Sequence, residues 1–235
     1  MNPFARRIAQ NLAQIHSRIE AAANRSGRTA DAVTLVAVTK YVSLEMAAAA
    51  VAAGCHDLGE SRPQELWAKA AALADPAIRW HMLGHLQRNK VRRTLPLIHR
   101  IQSLDSARLL ATIDQQATQL GCTVKALVEV NISGDAAKTG LTPEDLEPLL
   151  EQAATLGHVS IRGLMGMARL EGDREAARRD FAALRTLRDR LASRVAPSVS
   201  LTELSMGMSG DFEAAIEEGA TIVRLGSALF EGLDA

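Results

Sequence analysis

The sequence is poor in cysteine, in tyrosine and in aromatic residues generally. Its two cysteines, Cys55 and Cys122, share no CxxC spacing, which excludes a disulfide framework and suits a reducing compartment. Phe, Trp and Tyr together make 3% of the chain, with a single tyrosine, Tyr41. That leaves no aromatic-studded basic surface on which single-stranded nucleic acid stacks. An excess of either charge is also missing. The 27 basic and 27 acidic side chains cancel, so no global field steers the chain toward nucleic acid or a membrane. No uncharged apolar run approaches the roughly 18–20 residues of a spanning helix. Arg6 and Arg7 are followed by Gln10, Asn11 and Gln14, not by an apolar signal core. A soluble, cytoplasmic protein is expected.

What the chain has in quantity is Ala, Leu, Val and Ile, within a hydrophobic fraction of 47%. Phe4, Ile8, Leu12, Ile15 and Ile19 recur in steps of three and four, the stripe of one helix, and Gly27 supplies its stop. Short β-branched or apolar runs then alternate with helical stretches. Strands are expected at Val33–Lys40, His56–Ser61, Ile78–Leu83, Arg100–Leu104, Thr123–Val130, Val159–Met165, Ser198–Ser205 and Thr221–Leu225. Helices are expected between them, opened by signals such as Arg62-Pro63 and Thr142-Pro143-Glu144. They include a basic helix over Leu86–Ile98, interrupted by Pro96, and a long charged one over Asp173–Val195. Such alternation implies parallel strands with helical crossovers. Eight units predict an α/β fold of one domain over 1–235: a (β/α)8 TIM barrel at 33–232 with an extra N-terminal helix at 1–27. Spacing does not show closure, so an open doubly wound sheet is the alternative.

One lysine, Lys40, ends the first and most apolar strand. An ammonium there is costly unless paired, solvated or deprotonated. A lysine whose pKa falls by burial is a nucleophilic amine at neutral pH, fit for a Schiff base with an aldehyde. The plainer reading is that Lys40 marks where the strand leaves the core. In a barrel the reactive face is the set of loops after the strands, with phosphate commonly bound after strands seven and eight. Those loops are Ser205-Met206-Gly207-Met208-Ser209-Gly210-Asp211 and Gly226-Ser227. Their N–H groups and hydroxyls could converge on a dianion at the start of a helix, or the glycines and serines could only make turns. Arg224 shares a strand face with Ile222 and Gly226. Facing inward it points to the mouth; facing outward it snorkels to solvent. His81 and His85 straddle a strand end without a third ligand, so no metal site is expected. Arg88, Lys90, Arg92 and Arg93 read as a solvated helix face, and Lys138 as a surface lysine on the reactive side.

Several stretches carry a resemblance. They are Val36-Ala37-Val38-Thr39-Lys40, Leu58-Gly59-Glu60-Ser61-Arg62-Pro63, the run from Trp80 through Gly84-His85-Leu86-Gln87 to Lys90, and Val130-Asn131-Ile132-Ser133 with Lys138-Thr139-Gly140-Leu141. Gly163-Leu164-Met165, Ser205-Met206-Gly207-Met208-Ser209 and Arg224-Leu225-Gly226 complete the set. In this order they resemble the pyridoxal phosphate homeostasis protein family, single-domain relatives of the alanine racemase N-terminal barrel. The resemblance implies that Lys40 holds pyridoxal 5′-phosphate (PLP) as a Schiff base. It also implies that Ser205, Gly207, Ser209, Gly226 and Ser227 lie in or near the phosphate cradle, with Arg224 near the cofactor. The family usually has asparagine where this chain has Ser61. The implied role is storage, buffering or delivery of PLP to apo-enzymes, by a monomer or weak homodimer without established turnover. The rivals are a PLP-dependent racemase or decarboxylase on the same barrel, and a cofactor-free lysine aldolase. A racemase of this type takes its second base from a tyrosine of another domain, whereas Tyr41 adjoins Lys40.

Overall fold

A computed structural model of the chain describes residues 3–135, 139–169, 173–196 and 198–233. The eight strands are β1 (Thr34–Val38), β2 (Asp57–Glu60), β3 (Arg79–Met82), β4 (Arg100–Leu104), β5 (Val124–Val130), β6 (Val159–Gly166), β7 (Glu203–Ser205) and β8 (Ile222–Leu225). Each pairs in parallel with the next, and β8 returns to β1 with Thr34 opposite Ile222 and Ala37 opposite Leu225. The sheet is a closed barrel without edges, so the open-sheet alternative falls.

The helices are α1 (Pro3–Arg25), α2 (Leu44–Ala52), α3 (Pro63–Leu73), α4 (Val91–Thr94), α5 (Ala107–Leu120), α6 (Pro143–Ala154), α7 (Arg174–Ala192) and α8 (Phe212–Glu217). Four start on side-chain caps: Ser43, Ser106, Thr142 and Asp173 each accept from the backbone N–H three residues on. Among the described residues no helix is long and apolar enough to cross a membrane.

Two elements differ from the sequence expectation. The basic stretch is not one helix: four-residue α4 sits between 3-10 turns at Arg88–Lys90 and Leu95–Leu97. Pro96 has no N–H to give and ends the α-helical ladder there. Strand seven is three residues instead of eight. The Thr221 hydroxyl takes the Leu204 N–H, so the β7–β8 ladder is left with Ser205 opposite Ile222.

Helix α1 lies on the outside, over α2 and α8. Its stripe of Ile8, Leu12, Ile15 and Ile19 is buried, and Asn11 Nδ2 donates to the Leu229 carbonyl at 2.9 Å. The main core fills the space between helices and sheet, around Leu58, Leu66, Met82, Ile101, Phe181 and Phe212. Inside the barrel the apolar group is small: Val36, Leu127, Met165 and Ile222. The remaining interior is polar, with Asp57, His81, Gln102, Ser205 and Arg224 all buried. That division places a polar floor beneath the mouth.

Candidate functional site

A cavity of about 720 Å³ opens at the C-terminal mouth of the barrel. It is walled by the loops that follow β1, β2, β3, β5, β6, β7 and β8, where a barrel of this kind carries its chemistry. Of the residues singled out from sequence, Lys40, Ser209, Arg224, Gly226 and Ser227 line it together, as does Ser61.

Lys40 requires a correction. β1 ends at Val38, Thr39 is buried, and Lys40 is exposed in the turn that follows. Burial therefore cannot activate this amine. Its position comes from what lies underneath. Thr39 Oγ1 donates to Glu60 Oε1 at 2.6 Å, and buried Lys69 donates to the same oxygen at 2.7 Å and to the Thr39 carbonyl at 2.6 Å. A buried ion pair thus pins the residue before Lys40, and the Lys40 ammonium rests 4.8 Å from the centroid of the Tyr41 ring. Tyr41 is 76% exposed and shares the cavity wall with Lys40.

Arg224 faces inward, which settles its orientation. Its Nη1 donates to Ser205 Oγ at 2.6 Å and its Nη2 to the Gly166 carbonyl at 3.0 Å. Burial lowers the guanidinium to about 10, against the pull of Glu129 and Asp211, so it is still a cation at neutral pH. Glu129 of β5 also lines the cavity. Burial pushes its carboxyl up, against the Thr139 hydrogen bond at 2.7 Å. Its Oε2 is buried without a partner among the described residues. A second pair stands on the rim, His85 with Nδ1 2.5 Å from Asp105 Oδ2. The single charge within Val128-Glu129-Val130 was a legible signal that sequence reasoning missed.

The two small-residue loops do converge. Ser209 Oγ accepts from Ala228 N at 3.2 Å, tying one loop to the other. The backbone N–H groups of Ser209, Gly210 and Ser227 take no acceptor among the described residues. Helix α8 has only six residues, and the Asp211 carboxylate already accepts from Met208 N at 2.6 Å. The helix dipole is therefore a small part of any anion site here. Ser205 and Gly207, expected in the cradle, lie below it. Ser205 is fully buried between Arg224 and Gln102. Gly207 is a packing glycine at φ +94°, where a Cβ would stand 2.6 Å from Ala215 Cβ. Gly84 has a similar role, since its own Cβ would meet the Ser61 carbonyl oxygen at 2.4 Å.

His81 and His85 part company: His81 is buried in the barrel against Asp57 at 2.9 Å, and His85 is on the rim. Among the described residues no cluster of His, Cys, Asp or Glu could hold a metal. Cys55 is buried, and that burial, with Asp57 nearby, pushes its thiol up to about 12. Of the basic run, Arg93 stacks on the Trp67 ring at 4.1 Å. Lys138 lies outside the described residues.

The alanine racemase N-terminal domain model matches residues 10–234. A pyridoxal phosphate homeostasis protein of Pseudomonas aeruginosa is 39% identical over 227 residues, 97% of this chain and 96% of the relative. PipY of Synechococcus elongatus, solved with PLP bound, superposes with a TM-score of 0.85 at 39% identity, covering 95% of this chain and 99% of PipY. An alanine racemase of Clostridium difficile shares the fold alone, at 16% identity and a TM-score of 0.70; this chain covers 54% of it. The eight-unit barrel, the family-model match and 39% identity over nearly the full length of such relatives place the chain: it belongs to the pyridoxal phosphate homeostasis protein family, within the alanine racemase N-terminal fold.

Proposed function

We propose that this chain binds PLP at the barrel mouth, linked to Lys40 as a Schiff base, and stores, buffers or delivers it in the cytoplasm to apo-enzymes. The observation that carries the reading is the convergence of one solvated lysine, one buried cation and two free-amide loops on a single cavity. The cavity lies within the roughly 300–1,000 Å³ range of small-molecule sites. Its residues fit the group, for Glu129 Oε2 and the N–H groups of Ser209, Gly210 and Ser227 are polar atoms in the wall left without partners among the described residues. Bound PLP supplies an electron-poor ring and an aldehyde that condenses with amines.

Each residue then has a task. Lys40 offers an amine whose access is set by solvent, not by burial. Ser209, Gly210, Gly226 and Ser227 would direct donors at the phosphate, and the Arg224 cation would lie near the cofactor. An arginine beside the pyridine nitrogen would leave it largely unprotonated, a poor electron sink, which favours carriage over turnover. Relatives named as homeostasis proteins support this role.

The test is the visible spectrum of the purified chain after incubation with PLP, followed by borohydride reduction and mass mapping of the labelled lysine. Label on Lys40 is expected. Label mainly on Lys90 or Lys138 would move the site elsewhere, and a chain that takes up no PLP would end the reading. Loss of the bound PLP to an apo-enzyme separates delivery from storage.

A further inference from the structure

The polar interior of the barrel is ordered as a line. At the N-terminal end Arg79 donates from Nε to Asp57 Oδ1 at 2.8 Å and from Nη2 to Oδ2 at 2.5 Å. His81 Nε2 lies 2.9 Å from Asp57 Oδ1, and His81 Nδ1 lies 2.9 Å from Gln102 Nε2. Gln102 Oε1 accepts from Ser205 Oγ at 2.6 Å, and Ser205 Oγ accepts from Arg224 Nη1 at 2.6 Å. His81 is 1% exposed, and Gln102 and Ser205 are 0%. None of the three touches the cavity.

With His81 neutral, the donors and acceptors allow one direction only. An ionised Asp57 accepts, so His81 carries its proton on Nε2 and presents a bare Nδ1. Gln102 must then turn its NH₂ to His81 and its carbonyl to Ser205. Ser205 spends its proton on Gln102 and keeps a lone pair for Arg224. Burial lowers the His81 pKa, against the pull of Asp57, and Arg100 and Arg79 lower it further. The hydrogen bonds from Arg79 and His81 outweigh burial and hold Asp57 well below the usual carboxylate range. The neutral-histidine arrangement is therefore the stable one, and each link fixes the next.

We infer that His81 and Gln102 are positioning residues for the ligand: through Ser205 they hold the Arg224 guanidinium in the one orientation that faces the cavity. The inference rests on the reading that Arg224 lies near bound PLP. The line also connects the opposite end of the barrel, where Arg79 is half exposed, to the mouth. A fully connected polar line is a costly way to fill a core, and its specific product here is the pose of one cation.

The test is a mutant cycle on Gln102→Leu, Arg224→Met and the pair, read by PLP affinity and by the position of the bound-PLP visible band. Gln102→Leu should weaken PLP about tenfold, the effect of loosening the one charge-assisted hydrogen bond that Ser205 accepts from Arg224, and shift the band. The pair should bind no worse than Arg224→Met alone, because residues acting through one another are not additive. An unshifted band with wild-type affinity in Gln102→Leu, or losses that multiply in the pair, would overturn the inference. If Gln102→Leu does not fold, nitrogen NMR of the wild-type chain decides. A neutral His81 with its proton on Nε2, moving when PLP is added, supports the relay. A proton on Nδ1, or a signal unmoved at saturation, defeats it. A wild-type chain with no visible band would defeat the PLP reading instead, and the tautomer measured without PLP then tests the relay alone.

Discussion

The Lys69 ammonium donates to the Thr39 carbonyl at 2.6 Å, directly beneath the residue proposed to carry the ligand. The same ammonium is the partner of Glu60, whose side chain is 0% exposed. Lys69→Met should therefore destabilise the chain by about 3–5 kcal/mol, the cost of leaving one buried charge unpaired. Replacing both, as Lys69→Met with Glu60→Leu, should recover much of that loss. Urea unfolding of the three variants is the check, and a double variant as unstable as Lys69→Met would contradict it.

Lys40→Ala should lose all borohydride-trapped label while keeping its stability within about 0.5 kcal/mol, because an exposed side chain in a turn carries little packing. PLP held by the cradle alone should remain detectable by equilibrium dialysis. A variant that melts far below wild type would show that the turn depends on the lysine itself.

Ser209→Asp should weaken PLP far more than Ser209→Ala. The alanine removes one hydrogen bond to a charged group, about 1.5–3 kcal/mol, and the Ala228 N–H loses its acceptor. The aspartate adds repulsion against a dianion. Equal affinities in a fluorescence titration would place the phosphate away from this loop.

Stability should fall as the pH drops below about 6.5. Burial lowers both His81 and His99, the latter to about 4 from 6.5. Below 6.5 the unfolded chain takes up protons that the fold refuses, so unfolding is favoured progressively down to pH 4. Thermal melts at pH 7, 6, 5 and 4.5 test this, and His99→Asn should flatten the dependence. A melting temperature constant from pH 7 to 4.5 would contradict the burial of His81.

Deuterium should not appear at Cα of alanine or serine in heavy water at rates ordinary for enzymes, about 1–10 s⁻¹. In the proposed site the Arg224 cation, and no carboxylate, would face the ring nitrogen, and Tyr41 stands on the same loop as Lys40. Exchange at such rates, absent in Lys40→Ala, would favour the racemase, and His85 beside Asp105 would be the base to remove next.

The sequence by itself determined the alternation of eight strand–helix units, while closure of the sheet into a barrel was decided by the pairing of β8 with β1. Apolar runs of strand length, helix stripes, and local caps such as Ser43, Thr142 and Asp173 are short-range signals, and eight repeats of them admit few folds. It also marked the loops that meet at the mouth, because their place at strand ends follows from the repeat. Burial and partnership were decided only in three dimensions. Lys40 reads as the end of a buried strand yet is solvated, since Lys69, nine positions beyond Glu60, occupies the buried amine site instead. Ser205 and Gly207 sit in a glycine- and serine-rich motif, but closure of β7 on β8 turns them inward, to Arg224 and to α8. The line from Asp57 to Arg224 joins five strands separated by up to 167 positions in the chain. No local pattern records such a line, because hydrogen bonds between barrel-facing side chains exist only once the sheet has closed and excluded water.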